Sequence, residues 1–142
     1  MILEKIFKGM SDAAQFIQRN FDLIVAEIDK KKDYEFKQVT GVAGSNGWYA
    51  YNNTPISITK ENRSIKVAMQ FNAGVVTSGT EMAILPDWAA PLLDGQTFDV
   101  ACITSGWEVK TGTVVVRGNK LYCGTNITSY LVNISLNYTS KN

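Results

Sequence analysis

The chain has 142 residues, of which 45% are hydrophobic, and its formal net charge is +1. This length suits one domain with an appendage, and the apolar content excludes a disordered chain. Thinly spread basic residues argue against nucleic acid as a partner, because phosphate binding needs a concentrated cationic face. No apolar run approaches the roughly 20 residues that a membrane span needs, so we expect no membrane insertion.

Residues 11 to 32 follow a helical period. Ser11 is a suitable N-cap, and Lys30, Lys31 and Lys32 oppose the negative end of the helix dipole. Apolar residues recur at spacings that alternate between four and three, which is typical of a coiled-coil seam. The seam residues are Met10, Ala14, Ile17, Phe21, Ile24 and Ile28. Isoleucines at the core positions favour three strands over two, so the seam predicts a homotrimer.

A helix that packs on its own domain is the alternative to this trimer. Phe16 and Leu23 lie outside the seam and widen the apolar face, as such packing requires. The stretch before Ser11 is apolar, interrupted by Gly9, and could attach the chain to a neighbour. We therefore divide the chain into a trimerisation and attachment segment, residues 1–32, and a head domain, residues 33–142.

From Tyr34 onward the period becomes two. The clearest alternation places Tyr130, Val132, Ile134, Leu136 and Tyr138 on one face of a strand. Further strands are predicted at residues 34–39, 48–51, 56–59, 65–72, 98–104, 106–110, 113–116 and 120–123. Gly118 and Asn119 predict a hairpin turn in which both residues adopt positive φ. Many short strands at this spacing predict a mostly β protein with an antiparallel, jelly-roll-like β-sandwich head.

The sequence offers little catalytic chemistry. It contains no histidine, which removes the commonest general base and most zinc sites. Cys102 and Cys123 are separated and have no neighbouring ligands, so we expect no metal, no cofactor and no catalytic residue. The remaining enzymatic alternative is glycoside hydrolysis by two carboxylates, for which Asp87 and Glu108, each beside a tryptophan, are the best candidates.

Aromatic residues next to polar ones suggest a saccharide-binding surface. Trp48 and Tyr49 follow a glycine-rich turn, and Trp107 precedes Glu108. Exposed rings can stack on the apolar face of a sugar, whereas core packing is the alternative for Trp48 and Trp107 and is favoured for Trp88. We therefore take Trp48, Tyr49, Trp107 and Glu108 as candidate saccharide-binding residues.

Two segments resemble a family of phage proteins. Residues 8–21, KGMSDAAQFIQRNF, resemble the start of small baseplate, tail-fibre and receptor-binding proteins of long-tailed phages that infect Gram-positive bacteria. Residues 83–91, AILPDWAAP, resemble a Leu-Pro…Pro segment of such heads, and residues 112–116, the Gly118 turn and an alternating final strand follow as they do there. The match departs at Trp88, Ala89 and Ala90, where an aromatic–Arg pair is more typical, so no contact residue is carried over.

The resemblance implies a trimer with parallel N-terminal helices and a β-sandwich head of the kind shared with tumour-necrosis-factor-like trimers. It also implies a place at the virion tail tip beside other tail and baseplate proteins. The start of the sequence reads as an amphipathic pattern rather than a signal-peptide core, so we expect assembly in the host cytoplasm. The expected function is non-enzymatic: binding of host cell-wall saccharide, or scaffolding of the adsorption device. A monomeric carbohydrate-binding module and a small polysaccharide-degrading enzyme are the alternatives.

Overall fold

The computed structural model describes residues 13–32, 34–54, 56–127 and 130–141. The chain divides into two compact units with the boundary between Glu35 and Phe36. In the first unit, helix α1 spans Ala13–Lys32. Met10, the Ser11 cap and the predicted attachment segment lie outside the described residues. No helix in the described ranges is long and apolar enough to cross a membrane.

Helix α1 ends at Lys32, as the lysine cluster predicts. Its polar residues pair along the helix: the Gln18 side chain donates to the Asp22 carboxylate over 2.8 Å, and Lys30 Nζ lies 3.7 Å from Glu27. The seam residues in the described range are all exposed, namely Ala14, Ile17, Phe21, Ile24 and Ile28. The trimer itself stays a prediction.

The described part of the second unit contains nine strands. They are β1 (Phe36–Val39), β2 (Tyr49–Ala50), β3 (Ser57–Glu61), β4 (Ser64–Asn72), β5 (Glu81–Ile84), β6 (Gln96–Ile103), β7 (Val109–Arg117), β8 (Lys120–Cys123) and β9 (Leu131–Thr139). The strand order is β1-β3-β4-β9-β6-β7-β8-β5, with β2 paired to β4 and every pairing antiparallel. The prediction of a mostly β, antiparallel, sandwich-like head is therefore confirmed.

The strands of the described head form a continuous curled sheet in place of two separately bonded ones. The segment before β2 contacts β5, the last strand in this order, and continues into β2, which pairs with β4. An isolated bridge pairs Gly44 with Ala83 of β5, and the Ser45 amide donates to the Met82 carbonyl over 2.8 Å. This link ties β5 to the segment that continues into β2, and thus to the opposite half of the strand order.

The core lies on the inner face of this curl. Val132, Ile134, Leu136 and Tyr138 are buried, as the alternation predicts, whereas Tyr130 precedes the strand and is exposed. The Tyr138 hydroxyl donates to the backbone carbonyl of residue 89 over 2.7 Å, and burial raises the pKa of Tyr138. The final strand therefore stabilises both the apolar core and the turn that follows β5.

Strand β7 corrects two predictions. Residues 106–110 and 113–116 were expected to form separate strands, but Val109–Arg117 is continuous and the preceding residues form a turn. Gly112 is not a break: a Cβ there would lie 2.6 Å from Cys102 Sγ, so close packing explains the glycine. In the following hairpin only Gly118 adopts positive φ, +54°, while Asn119 does not, which fits a turn that needs glycine at its first central position.

Candidate functional site

Trp48 is a core residue, which corrects its assignment to an exposed saccharide-binding surface. It is 2% exposed, its ring centroid lies 6.5 Å from that of Phe71, and its indole N–H donates to the Val75 carbonyl over 3.1 Å. Because successive side chains of an extended segment point to opposite sides, burial of Trp48 turns Tyr49 outward. Tyr49 is 60% exposed. Trp88 packs partly buried against the core, as expected.

Exposed aromatic residues gather at one end of the curled sheet. The strand register aligns Tyr49, Asn72, Leu131, Ile103 and Val109 in one row across five strands. Neighbouring strands lie about 4.8 Å apart, so this row extends over at most about 19 Å. The structure thus brings the predicted Tyr49 to the same end of the sheet as the turn that precedes Val109.

Trp107 lies in that turn and is 66% exposed. Three hydrogen bonds to Thr104 hold this turn. The Thr104 amide donates to the Glu108 carbonyl over 3.0 Å, and the Trp107 amide donates to the Thr104 carbonyl over 2.9 Å. The Glu108 amide donates to the Thr104 hydroxyl over 3.2 Å. Trp107 adopts φ +64°, a conformation that is unusual and costly for a bulky residue. Strain of this kind occurs most often at functional sites, and here it keeps a large ring in solvent.

Tyr130 joins this group although the sequence pattern assigns it to the core. Its amide donates to the Ile103 carbonyl over 2.9 Å and its carbonyl accepts from the Ala73 amide over 3.1 Å, which places it between the ends of β4 and β6. Its side chain is exposed. We call Tyr49, Tyr130 and Trp107 the aromatic end. Glu108, the remaining predicted residue, is exposed beside Trp107, with Lys110 Nζ at 3.8 Å.

The candidate catalytic carboxylates are far apart. Asp87 accepts a hydrogen bond of 2.8 Å from the side chain of Asn119, just beyond the last residue of β7. Glu108 directly precedes the first residue of the same strand. Nine residues of extended chain separate the two ends of β7 by about 27 Å, whereas paired glycosidase carboxylates lie about 5–10 Å apart. These two side chains therefore cannot act on one glycosidic bond.

A groove that the sequence does not reveal crosses the outer face of β6, β7 and β8. The register places Thr97, Val115 and Tyr122 in one row, and the groove encloses about 420 Å³ above them. The remaining lining residues are Ser78, Gly79, Thr113, Arg117, Cys123, Gly124 and Thr125. Hydroxyl groups dominate its polar lining, and the described residues of the chain contain no cluster of three or more potential metal-binding side chains.

Backbone hydrogen bonds fix both walls of this groove. The Gly79 amide donates to the Cys123 carbonyl over 2.8 Å, which holds the turn before β5 against β8. On the other side, the Gly124 and Thr125 amides donate to the carbonyl and hydroxyl of Thr113, each over 2.7 Å. A Cβ at Gly124 would lie 2.5 Å from the Thr113 carbonyl oxygen, so only glycine allows this approach. The walls are therefore formed before any ligand binds.

No protein-family model matches the sequence, and no curated protein is significantly similar to it. Among solved structures, the fold is similar to the crystal structure of the receptor binding protein gp15 of Listeria phage PSA. The TM-score is 0.65 at 17% sequence identity, and the alignment covers 95% of this chain and 82% of that one. At this identity the likeness establishes a shared fold.

Proposed function

We propose that this chain is a phage tail protein that adsorbs to the host surface. The observation that carries the proposal is the fold match over 95% of the chain to a phage receptor binding protein. The resemblance of residues 8–21 and 83–91 to phage tail proteins points to the same class independently. Adsorption is a binding function, and the wide separation of Asp87 and Glu108 removes the best candidate pair for hydrolysis.

The proposed ligand of the aromatic end is a saccharide of the Gram-positive cell wall. Exposed rings bind sugars through the apolar ring face, and the neighbouring polar groups satisfy the hydroxyls. Tyr130 directly precedes Leu131, which lies two strands from Tyr49 in the row; this spacing of about 10 Å suits an extended saccharide better than a single sugar. Glu108, which is exposed beside Trp107, would accept hydrogen bonds from a sugar stacked on that ring.

The proposed assembly is a homotrimer joined through α1, at the tail tip and in contact with other tail proteins. The exposed seam of α1 supports it, because large apolar side chains that recur on one helix face are stabilised by a partner surface. Three copies would multiply weak contacts to a repetitive cell wall, and avidity would then supply the affinity that a single site lacks. A monomeric carbohydrate-binding module would lack this gain.

Binding of the fluorescently labelled full chain to purified Gram-positive cell walls tests the proposal. We expect Trp107→Ala, Tyr49→Ala and Tyr130→Ala each to reduce retention severalfold. Phe36→Ala is the matched control, because Phe36 is equally exposed but lies on β1, opposite Glu61 and thus near the far end of the sheet. If all four variants are retained like the parent protein, the aromatic end is not the contact surface. Absence of retention on any wall would favour a scaffold.

A further inference from the structure

The groove over β6, β7 and β8 has features that the aromatic end does not explain. Its floor is the Val115 side chain, flanked by the hydroxyl-bearing Thr97 and Tyr122 in the same row. Ser78 adds a further hydroxyl from the wall. An apolar floor surrounded by hydroxyl groups on fixed walls is the usual character of a small-molecule site, and about 420 Å³ is within the usual range of such sites.

Arg117 makes the groove electrostatically asymmetric. Its guanidinium lies beside Gly95, where a Cβ would be 3.8 Å from both Nε and Nη2. The neighbouring charged side chains have other partners. Lys120 Nζ lies 2.7 Å from the Glu81 carboxylate, and the Asp94 carboxylate accepts a hydrogen bond from the Gly118 amide over 2.7 Å. Within the described part of the chain, the Arg117 side chain has neither an ion pair nor a hydrogen bond, and the lining residues include no carboxylate.

A guanidinium offers a planar array of donors that matches a phosphate or carboxylate group. Hydroxyl groups of threonine, serine and tyrosine both donate and accept, which suits the hydroxyls of a sugar or polyol. The Tyr122 ring and the Val115 methyl groups complete the site with apolar surface. Each part of the groove therefore corresponds to one part of an acidic, hydroxyl-rich ligand.

We propose that this groove binds an acidic saccharide or polyol, with the anionic group at Arg117 and the hydroxyl groups along Thr97, Ser78 and Tyr122. The site is distinct from the aromatic end and goes beyond the proposed function. It rests on that function only for the biological source of the ligand, an anionic polymer of the host surface. Phosphate and carboxylate share the chemistry that the groove recognises.

Nuclear magnetic resonance titration of the isotope-labelled full chain tests the site. The probes are glycerol 3-phosphate, glucuronate and uncharged glycerol. We expect at least one of the acidic probes to shift the amide resonances of Gly79, Thr97 and Tyr122, and glycerol to leave these resonances unchanged. Stronger binding of one acidic probe identifies the anionic group. Inorganic phosphate that binds as tightly as glycerol 3-phosphate would overturn the polyol part of the proposal.

Two variants and a control distinguish binding in the groove from a nonspecific attraction of the acidic probe to positive charge. Arg117→Gln removes the cation and should weaken binding of the acidic probe by about tenfold or more, as loss of a charged hydrogen bond implies. Val115→Phe fills the floor without a change in charge and should abolish binding. Lys66→Gln removes an exposed charge from β4 and should have no effect. Equal weakening by Arg117→Gln and Lys66→Gln would overturn the inference.

The outcome is independent of the cell-wall experiment. Loss of probe binding in Arg117→Gln while the aromatic-end variants retain adsorption supports the groove and contradicts the saccharide site at the aromatic end. Failure of every probe to shift the groove amides overturns the inference and leaves the proposed adsorption function untouched.

Discussion

The substitution Ile24→Asp tests whether the seam of α1 is an interface. In the structure, Ile17, Phe21, Ile24 and Ile28 are exposed by between 37% and 62% of their surface. Complete burial of such a side chain stabilises by about 1.5–3 kcal/mol, so covering these exposed fractions would contribute about 3–6 kcal/mol per copy. Three copies would gain about 9–18 kcal/mol, which is comparable with the cost of association.

An aspartate at residue 24 would remove part of this gain and add a larger penalty. The lost burial amounts to about 1 kcal/mol per copy. Three carboxylates brought together at the seam would each cost several kcal/mol of desolvation, because no residue three or four positions from Ile24 is cationic and Lys31 lies two turns away. A total above about 5 kcal/mol lowers the association constant more than about a thousandfold. We therefore expect a trimeric parent protein and a monomeric Ile24→Asp variant.

Val25→Asp is the matched control. Val25 is the next residue, is 42% exposed and lies at the edge of the seam, where a carboxylate can stay in water, so the same change in charge and helix propensity should weaken association much less. Sedimentation equilibrium at micromolar concentration measures the mass of each protein. A monomeric parent protein would refute the seam as a trimer interface, and so would equal dissociation of both variants.

Three further substitutions test the head. Tyr138→Phe removes a buried hydrogen bond of 2.7 Å and should lower the free energy of unfolding by about 1–2 kcal/mol in urea titrations, whereas an unchanged midpoint would show that the bond contributes nothing. Gly124→Ala should cost about 1–3 kcal/mol by overpacking against Thr113 and should also weaken probe binding in the groove; a fully stable variant would contradict the close approach. Lys120 and Ser45 lower the pKa of Glu81 below its usual 4.5, so Glu81 stabilises the fold above that pH and loses this effect as pH falls through its lowered pKa. Glu81→Gln should therefore reduce the melting temperature at neutral pH, and the difference from the parent protein should shrink in acid; a constant difference would refute the ion pair as its cause.

The sequence predicted the elements whose patterns are local. Strands β4 and β9 alternate between buried and exposed residues along most of their length, and α1 ends at its lysine cluster. Strand β5 was missed because its register shifts between Glu81 and Ala83, so Met82 and Ala83 are buried in succession and no period of two remains. Local pattern is therefore a reliable guide only where the strand is regular.

The site residues were harder to predict because their environment is set by distant parts of the chain. Trp48 and Trp107 each directly follow a glycine, yet the first packs against Phe71 and the second is held in solvent by Thr104. The groove is formed from common residues such as Thr97, Val115 and Tyr122, which only the strand register brings together. Nothing in their individual sequence contexts distinguishes them from other strand residues.

The adjacent residues Trp48 and Tyr49 are under different constraints, because one is buried and the other is exposed. The Trp48 indole fills part of the core, whereas the Tyr49 side chain is mostly exposed, so exchange of Tyr49 for another aromatic residue changes the surface without changing the core volume. The same holds for the turn residue Trp107. If the aromatic end binds the host surface as proposed, substitutions there could change host preference while the sheet beneath it stays the same.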